Sequence, residues 1–487
     1  MENTERISSG VHGLDDVLRG GFVTGRMYLV CGRPGTGKTI LGMHFLEEGL
    51  GRGETVLFVH GEESREEILT NAATIGIDIT DAEFLDLGPE SDFFTEDRAY
   101  DLLEPRDVDR ERYTRDIHDA IRTIDPDRIV IDPITQLRYI EPNEHQFRKR
   151  ILSLMRFLKE RDTTVIATAT VSSGGEYDTE IQSLSDGIVE LSRGDGGRRL
   201  RVTKHRGFGQ LSGDHGLEIR ENGIGVFPAA LPEGGGQPVH SQRLRSGIDT
   251  LDELVGGGVE RGTVTFVSGP TGVGKTTLAT QFLTHAASDG TNSAMYLFEE
   301  EIETVIHRSE SIGMPVTELC EDGMLSIETV EPLALSAEEF AHTVRQDVER
   351  RDADVVLIDG INGYTTSIQG SKAALIQKLH RLTRHLKNRG VTVLITDEIP
   401  ELTGITSATS STVTYVADTI VFISYVETHD RLGKVIGVLK KRTSGYEHTL
   451  REFEITPSGV EVGEPLHGVT GVLQGVGQQR PNAAQDE

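Results

Sequence analysis

GRPGTGKT, residues Gly32–Thr39, is written a second time as GPTGVGKT, residues Gly269–Thr276. Both fit G-x-x-x-x-G-K-[ST], the spacing of a phosphate-binding P-loop. Glycines permit a tight turn that aims successive backbone N–H groups inward, which makes a concave anion site. The helix that follows presents its positive end to the same anion. On this reading Lys38 and Lys275 bring a full charge to the β- and γ-phosphates, and Thr39 and Thr276 offer a hydroxyl to Mg2+. The candidate nucleotide-binding residues are Gly32, Gly35, Thr36, Gly37, Lys38 and Thr39 in the first loop. In the second they are Gly269, Thr271, Gly272, Val273, Gly274, Lys275, Thr276 and Thr277.

The flanks support the motif. Met27-Tyr28-Leu29-Val30-Cys31 reads as a buried strand, and Ile40 to Leu46 as the helix after the loop. Val264 to Ser268 and Leu278 to Leu283 repeat the arrangement. The repeat reaches further. Arg6-Ile7-Ser8-Ser9-Gly10 recurs as Arg243-Leu244-Arg245-Ser246-Gly247, at the 237-residue offset that separates Lys38 from Lys275. A unit of about 235 residues has therefore been duplicated. After each P-loop helix a second strand ends in paired carboxylates, Glu62-Glu63 and Glu299-Glu300. Strand carboxyl ends border the ligand crevice in an open α/β sheet, and a carboxylate there can orient or deprotonate an attacking water.

A third apolar strand closes on an acid in each copy, Arg128–Asp132 and Val355–Asp359. This is a Walker B arrangement, in which Asp132 and Asp359 reach Mg2+. Helices at Gln146–Arg161 and Ala373–Arg389 lead to the strands Thr163–Thr168 and Val391–Thr396. Later strands at Gly187–Leu191 and Asp418–Ile423 are followed by hairpins that carry Lys204-His205-Arg206 and Lys440-Lys441-Arg442. Alternating strands and helices predict an α/β fold: two tandem domains, each a doubly wound, mostly parallel sheet. The acidic, poorly periodic stretch Gly88–Asp116 reads as a surface excursion. A Gly/Pro-rich stretch from Pro228 to Gln242 holds the linker. The expected division is residues 1–232, a linker at 233–242, a second domain at 243–466, and a disordered tail at 467–487.

Composition narrows the function. Of 49 basic residues only 11 are Lys, against 78 Asp plus Glu, for a net charge of −29. This balance points to a salt-rich cytoplasm, where charge is screened within ~3 Å at about 1 M salt. It argues against a constitutive nucleic-acid binder, which would show a basic face. Two cysteines, Cys31 and Cys320, are too few for a disulfide framework or zinc knuckle. Neither a signal region nor an apolar run long enough to span a bilayer is evident, so a soluble, cytoplasmic protein is predicted.

Together the opening R-[IL]-x-S-G-x-x-x-L-D, the P-loop pair, the doubled glutamates and the K-x-R pair resemble the KaiC family, two-domain circadian clock ATPases and autokinases of the RecA-like superfamily. The resemblance covers about residues 5–465, and the acidity suggests an archaeal halophile. It implies a homohexameric ring with ATP held between subunits. Glu62, Glu63, Glu299 and Glu300 would be catalytic carboxylates. Lys204, Arg206, Lys440 and Arg442 would reach a neighbour's γ-phosphate, the arginine-finger role. The family's adjacent Ser-Thr phosphoacceptor pair falls at Thr414 and Tyr415, with a further threonine at Thr409; Tyr415 departs from the pattern. The stretch Thr406–Thr414 could equally be a solvated loop. Pro133 and Gly360 replace the serine usual after Walker B, and Thr443 replaces a glycine after Arg442. The expected function is an ATPase in both domains with Ser/Thr autokinase activity in the second, serving timekeeping or signalling through unidentified partner proteins. Two alternatives stay open: a DNA-stimulated RecA relative, and a nucleotide-sensing switch with little turnover.

Overall fold

The computed structural model describes residues 5–87, 118–136, 144–170, 179–194, 197–229, 242–331, 335–368, 371–399, 415–428, 431–466, 469–470 and 478–479. The stretch Gly88–Asp116 lies outside the described residues. The chain divides into two compact units, Met1–Ala229 and Ala230–Glu487.

The first unit holds nine strands in one sheet: β1 (Met27–Gly32), β2 (Val56–His60), β3 (Glu83–Asp86), β4 (Arg128–Asp132), β5 (Thr164–Thr170), β6 (Gly187–Gly194), β7 (Gly197–His205), β8 (His215–Arg220) and β9 (Gly223–Phe227). Their order is β3-β2-β4-β5-β1-β6-β7-β8-β9. Pairing is parallel from β3 to β6 and antiparallel from β6 to β9. Strand β1 is central and apolar on both faces because both faces are covered. Tyr28 and Val30 pack with Leu41 and Phe45 of helix α1 (Lys38–Gly51). Leu29 and Cys31 pack on the other side with Phe147, Ile151 and Leu154 of the helix Glu144–Lys159. Each fully buried apolar side chain of this kind contributes about 1.5–3 kcal/mol.

The second unit repeats the plan with β10 (Val264–Gly269), β11 (Ser293–Leu297), β12 (Leu325–Thr329), β13 (Val355–Asp359), β14 (Thr392–Glu398), β15 (Thr419–Thr428), β16 (Arg431–Lys441), β17 (Arg451–Thr456) and β18 (Gly459–Pro465). The order β12-β11-β13-β14-β10-β15-β16-β17-β18 is the same. Two doubly wound, mostly parallel sheets are what the alternating pattern predicted. Among the described residues no helix is long and apolar enough to cross a membrane.

The repeated opening segment has a structural task. Ser9 donates its backbone N–H to Asp15 Oδ1 at 2.9 Å, and Ser246 makes the same bond to Asp252 Oδ1 at 2.8 Å. The Leu-Asp of the motif thus ties the entry segment down in both copies.

One core feature is confined to the first unit. Arg128, which opens β4, is 0% exposed. Its guanidinium pairs with Glu54 through Nε–Oε2 and, at 3.2 Å, through Nη2–Oε1. It also donates to the carbonyls of Ser8 and Phe45 and lies 4.7 Å over the Phe45 ring. Val355 opens the corresponding strand β13. Removing one partner of a buried ion pair leaves an uncompensated charge. Glu54→Ala is therefore expected to lower the stability of the first unit by about 3 kcal/mol. Chemical denaturation should show an earlier transition for that unit and an unmoved one for the second.

Candidate functional site

Each P-loop leaves the carboxyl end of the central strand and turns into a helix. Gly35 and Gly37 have φ of +74° and +103°; Gly272 and Gly274 have +73° and +113°. A side chain is excluded on the inner turns as well. A Cβ on Gly37 would lie 2.9 Å from Ile219, and one on Gly274 2.6 Å from Ile455. Gly37 and Gly274 cap α1 and helix α3 (Lys275–Ser288) without any side-chain hydrogen bond to the helix amides. Those amides are left for an anion. Lys38 Nζ donates to Arg33 O at 3.2 Å, and Lys275 Nζ to Pro270 O at 3.0 Å, so each ammonium is folded over its loop. Thr36 Oγ1 braces the first loop on Arg33 O at 2.8 Å, while Val273, at the same place in the second, is buried. Thr39 and Thr276 stand in the first turn of α1 and α3, and Thr277 is buried behind.

The Walker B acids end the strand two places from the P-loop strand. In the second unit Thr276 Oγ1 lies 3.0 and 3.1 Å from the two carboxylate oxygens of Asp359. Thr396 of β14 also donates to Asp359, at 2.7 Å. Thr168 of β5 makes the matching hydrogen bond to Asp132. These two threonines escaped the sequence reading; a hydroxyl at one register position of both buried strands was the available signal. Burial pushes the Asp359 carboxyl up to about 6, and Glu300 and Glu299 press it further in that direction. A buried acid beside a threonine hydroxyl, facing other carboxylates, suits a divalent cation. Among the described residues no three His, Cys, Asp or Glu side chains gather as ligands. Thr276 and Asp359, one hydroxyl and one carboxylate side by side, fit Mg2+, which keeps waters and takes phosphate oxygens beside one or two protein ligands.

The doubled glutamates divide their contacts. Glu62 is the carboxylate after β2 that, with Asp132, holds up the ammonium of Lys38 against the lowering effect of burial. Glu299 acts the same way on Lys275, whose ammonium burial also disfavours. Glu299 accepts the Gly363 N–H at 2.8 Å. The second glutamate of each pair turns to the following helix. Glu63 accepts from Asn71 of helix α2 (Arg65–Thr74) at 3.1 Å. Glu300 is ion-paired to Arg308 of helix α4 (Ile302–Glu310) at 2.8 Å. The first glutamate of each pair is thus the one that acts on the loop lysine, while Glu300 still acts on Asp359 together with Glu299. Cys31, beside the first loop, is buried, and burial pushes its thiol up to about 12, a core role.

The basic pairs are not brought to their own loops. Strand β7 runs antiparallel to β6, with Lys204 opposite Ile188, whereas Gly32 lies beside Leu191. Arg206 N donates to Asp186 O, and Asp186 N to Met27 O, at the start of β1. Five residues at about 3.3 Å each separate that level from Gly32. Lys204 donates to the Gln182 and Ser183 carbonyls, and Arg206 lies 3.3 Å from Asp186 with 57% of its side chain exposed. The second unit matches it: Lys440 lies opposite Ile420 and donates to Ala417 O, and Arg442 lies 3.9 Å from Asp418. Burial and the adjacent arginine lower both Lys204 and Lys440. Tyr415 lies three residues before Asp418, at this same end, 49% exposed and edge-on to His380. Thr409 and Thr414 lie outside the described residues.

Comparison with known proteins agrees with this geometry. The family model described as ATPase: KaiC matches twice, over residues 7–230 and 244–467. The circadian clock oscillator protein KaiC of Parasynechococcus marenigrum is 28% identical over 97% of this chain and 93% of its own length. That of Synechococcus elongatus is 28% identical over 96% of this chain and 90% of its own. The circadian clock protein KaiC3 of a Synechocystis species is 28% identical over 97% and 95%. With two P-loops, two Walker B acids and two glutamate pairs repeated along nearly its whole length, this chain belongs to the KaiC ATPase family.

Proposed function

We propose that both units bind ATP with Mg2+ and hydrolyse it. Copies of the chain form a homohexameric ring in which each pocket is completed by the Lys and Arg of an adjoining copy. The second unit also transfers the γ-phosphoryl group to a hydroxyl of a neighbour, at Thr414, with Thr409 and Tyr415 as further acceptors. The observation that carries this reading is the placement of Lys204 with Arg206, and Lys440 with Arg442. They sit at the end of the sheet away from their own P-loops, beyond the reach of an arginine side chain.

The residues divide the chemistry. Loop amides and Lys38 or Lys275 hold the β- and γ-phosphates. Thr39 with Asp132, and Thr276 with Asp359, would hold Mg2+, whose chemistry there would be to offset negative charge on the phosphates. Glu62 or Glu299 orients a water and accepts its proton as the oxygen bonds to the γ-phosphorus. The bond from that phosphorus to the β,γ-bridging oxygen breaks and ADP leaves. In transfer, the acceptor hydroxyl takes the place of water. The neighbour's Lys and Arg offset charge that spreads over the γ-oxygens. The exposure of Tyr415, three residues before the Asp418 that lies near Arg442, supports the reading that a neighbour's phosphate would meet an acceptor there. The names of the relatives support a role in timekeeping or related signalling, carried out in the cytoplasm with partner proteins still to be identified.

Incubation with γ-labelled ATP and phosphosite mapping tests the transfer. Label is expected on Thr414, and Lys275→Ala is expected to abolish it. Glu299→Gln with Glu300→Gln should slow phosphate release from the second unit about 100-fold or more while ATP still binds. Released phosphate without label leaves an ATPase or a switch, and stimulation by single-stranded DNA favours a DNA-acting relative. Completion between copies has its own test. In a Lys275→Ala background, chains carrying Lys38→Ala and chains carrying Arg206→Ala should each be inactive. Mixed, they should regain hydrolysis, because an intact loop meets an intact arginine; absence of both rescue and a hexamer refutes the ring.

A further inference from the structure

The two pockets share a frame but not a charge. Strand β5 runs beside β1 with Ala169 opposite Cys31 and Thr170 opposite Gly32. At the same register β14 places Asp397 opposite Ser268 and Glu398 opposite Gly269, the first residue of the second P-loop. The backbone holds Glu398 there: Ile399 N donates to Gly269 O at 3.1 Å, and Asn362 Nδ2 to Glu398 O at 3.4 Å. Its carboxylate accepts a hydrogen bond from Thr271 Oγ1, inside the loop itself. It is also the foremost of the four carboxylates that hold up the Lys275 ammonium, with Asp359, Glu299 and Asp397. Among the described residues the first loop shows no such carboxylate: Thr170 stands opposite Gly32, and the carboxylates that act so on Lys38 are Asp132 and Glu62.

We propose that Glu398 is a built-in competitor for the terminal phosphate in the second pocket, and that it makes this pocket selective for the cation-complexed triphosphate over free ATP. The proposal rests on the reading that the pocket binds ATP. A carboxylate on a P-loop hydroxyl, beside the loop lysine, takes the place of a phosphate oxygen. An incoming bare triphosphate, with about four negative charges, must share that space with Glu398, Asp397, Asp359 and Glu299. Like charges at contact distance in a partly desolvated cleft repel strongly. A divalent cation on the triphosphate gives the displaced carboxylates a positive partner, so the penalty falls mainly on the free nucleotide. With Thr170 and Ala169 in these places, the first pocket escapes it.

Equilibrium binding to the full-length chain separates the pockets. Lys38→Ala leaves the second pocket to be read and Lys275→Ala the first, with a fluorescent ATP analogue presented either with Mg2+ or in EDTA. The second pocket is expected to prefer the magnesium complex by a ratio about tenfold larger than the first. Glu398→Gln, which keeps the shape, should tighten magnesium-free binding there about tenfold and narrow the ratio. Thr271→Val, which removes the hydroxyl that holds the carboxylate, should shift it the same way. Thr170→Glu in the first pocket should weaken magnesium-free binding by a similar factor. Unchanged or weaker magnesium-free binding in both Glu398→Gln and Thr271→Val overturns the proposal. Failure of the unsubstituted chain to bind the analogue with Mg2+ at either pocket overturns the nucleotide reading itself.

Discussion

The structure depends on a turn that only glycine can make. Gly37 and Gly274 stand in the left-handed region at the head of α1 and α3, with Ile219 and Ile455 packed where a Cβ would go. A helix started this way offers its first amides to an outside anion instead of a capping side chain. The loop has to leave the central strand at its carboxyl end for this to work. Burial of β1 and β10 on both faces fixes that exit point, since neither strand can slip without moving apolar residues into the wrong layer.

Once the central strand is fixed, its neighbours deliver the chemistry by register. Strands β4 and β13 bring Asp132 and Asp359, and β5 and β14 bring the threonine that braces each acid. The residues after β2 and β11 bring the glutamates. Each group comes from a different strand end, so its placement follows from the sheet and not from any local turn.

Duplication preserved this frame and let its electrostatics diverge. Asn71 restrains Glu63 with a neutral amide, whereas Arg308 restrains Glu300 with a full charge. His205 packs in the first unit on Tyr28 and Phe208; Lys441 replaces it in the second and pairs with Glu260 at 3.1 Å. Thr170 gives way to Glu398. Each exchange keeps the position in the fold and changes the charge, which is how one fold can hold two nucleotide sites of different character.

The sequence by itself determined the tandem repeat, the strand–loop–helix setting of both P-loops, and the strands that end in Asp132, Asp359 and the glutamate pairs. Those features are local: alternating apolar runs, glycines at fixed spacing and a constant offset all survive in one dimension. The tertiary structure alone decided which glutamate of each pair acts on the loop lysine, which threonine braces the acid, and that Glu398 reaches Thr271. It also decided that Lys204, Arg206, Lys440 and Arg442 stand at the far end of their own sheets. Antiparallel pairing of β7 on β6 and of β16 on β15 reverses the chain there, and a reversal in register leaves no periodic trace in the residues that undergo it.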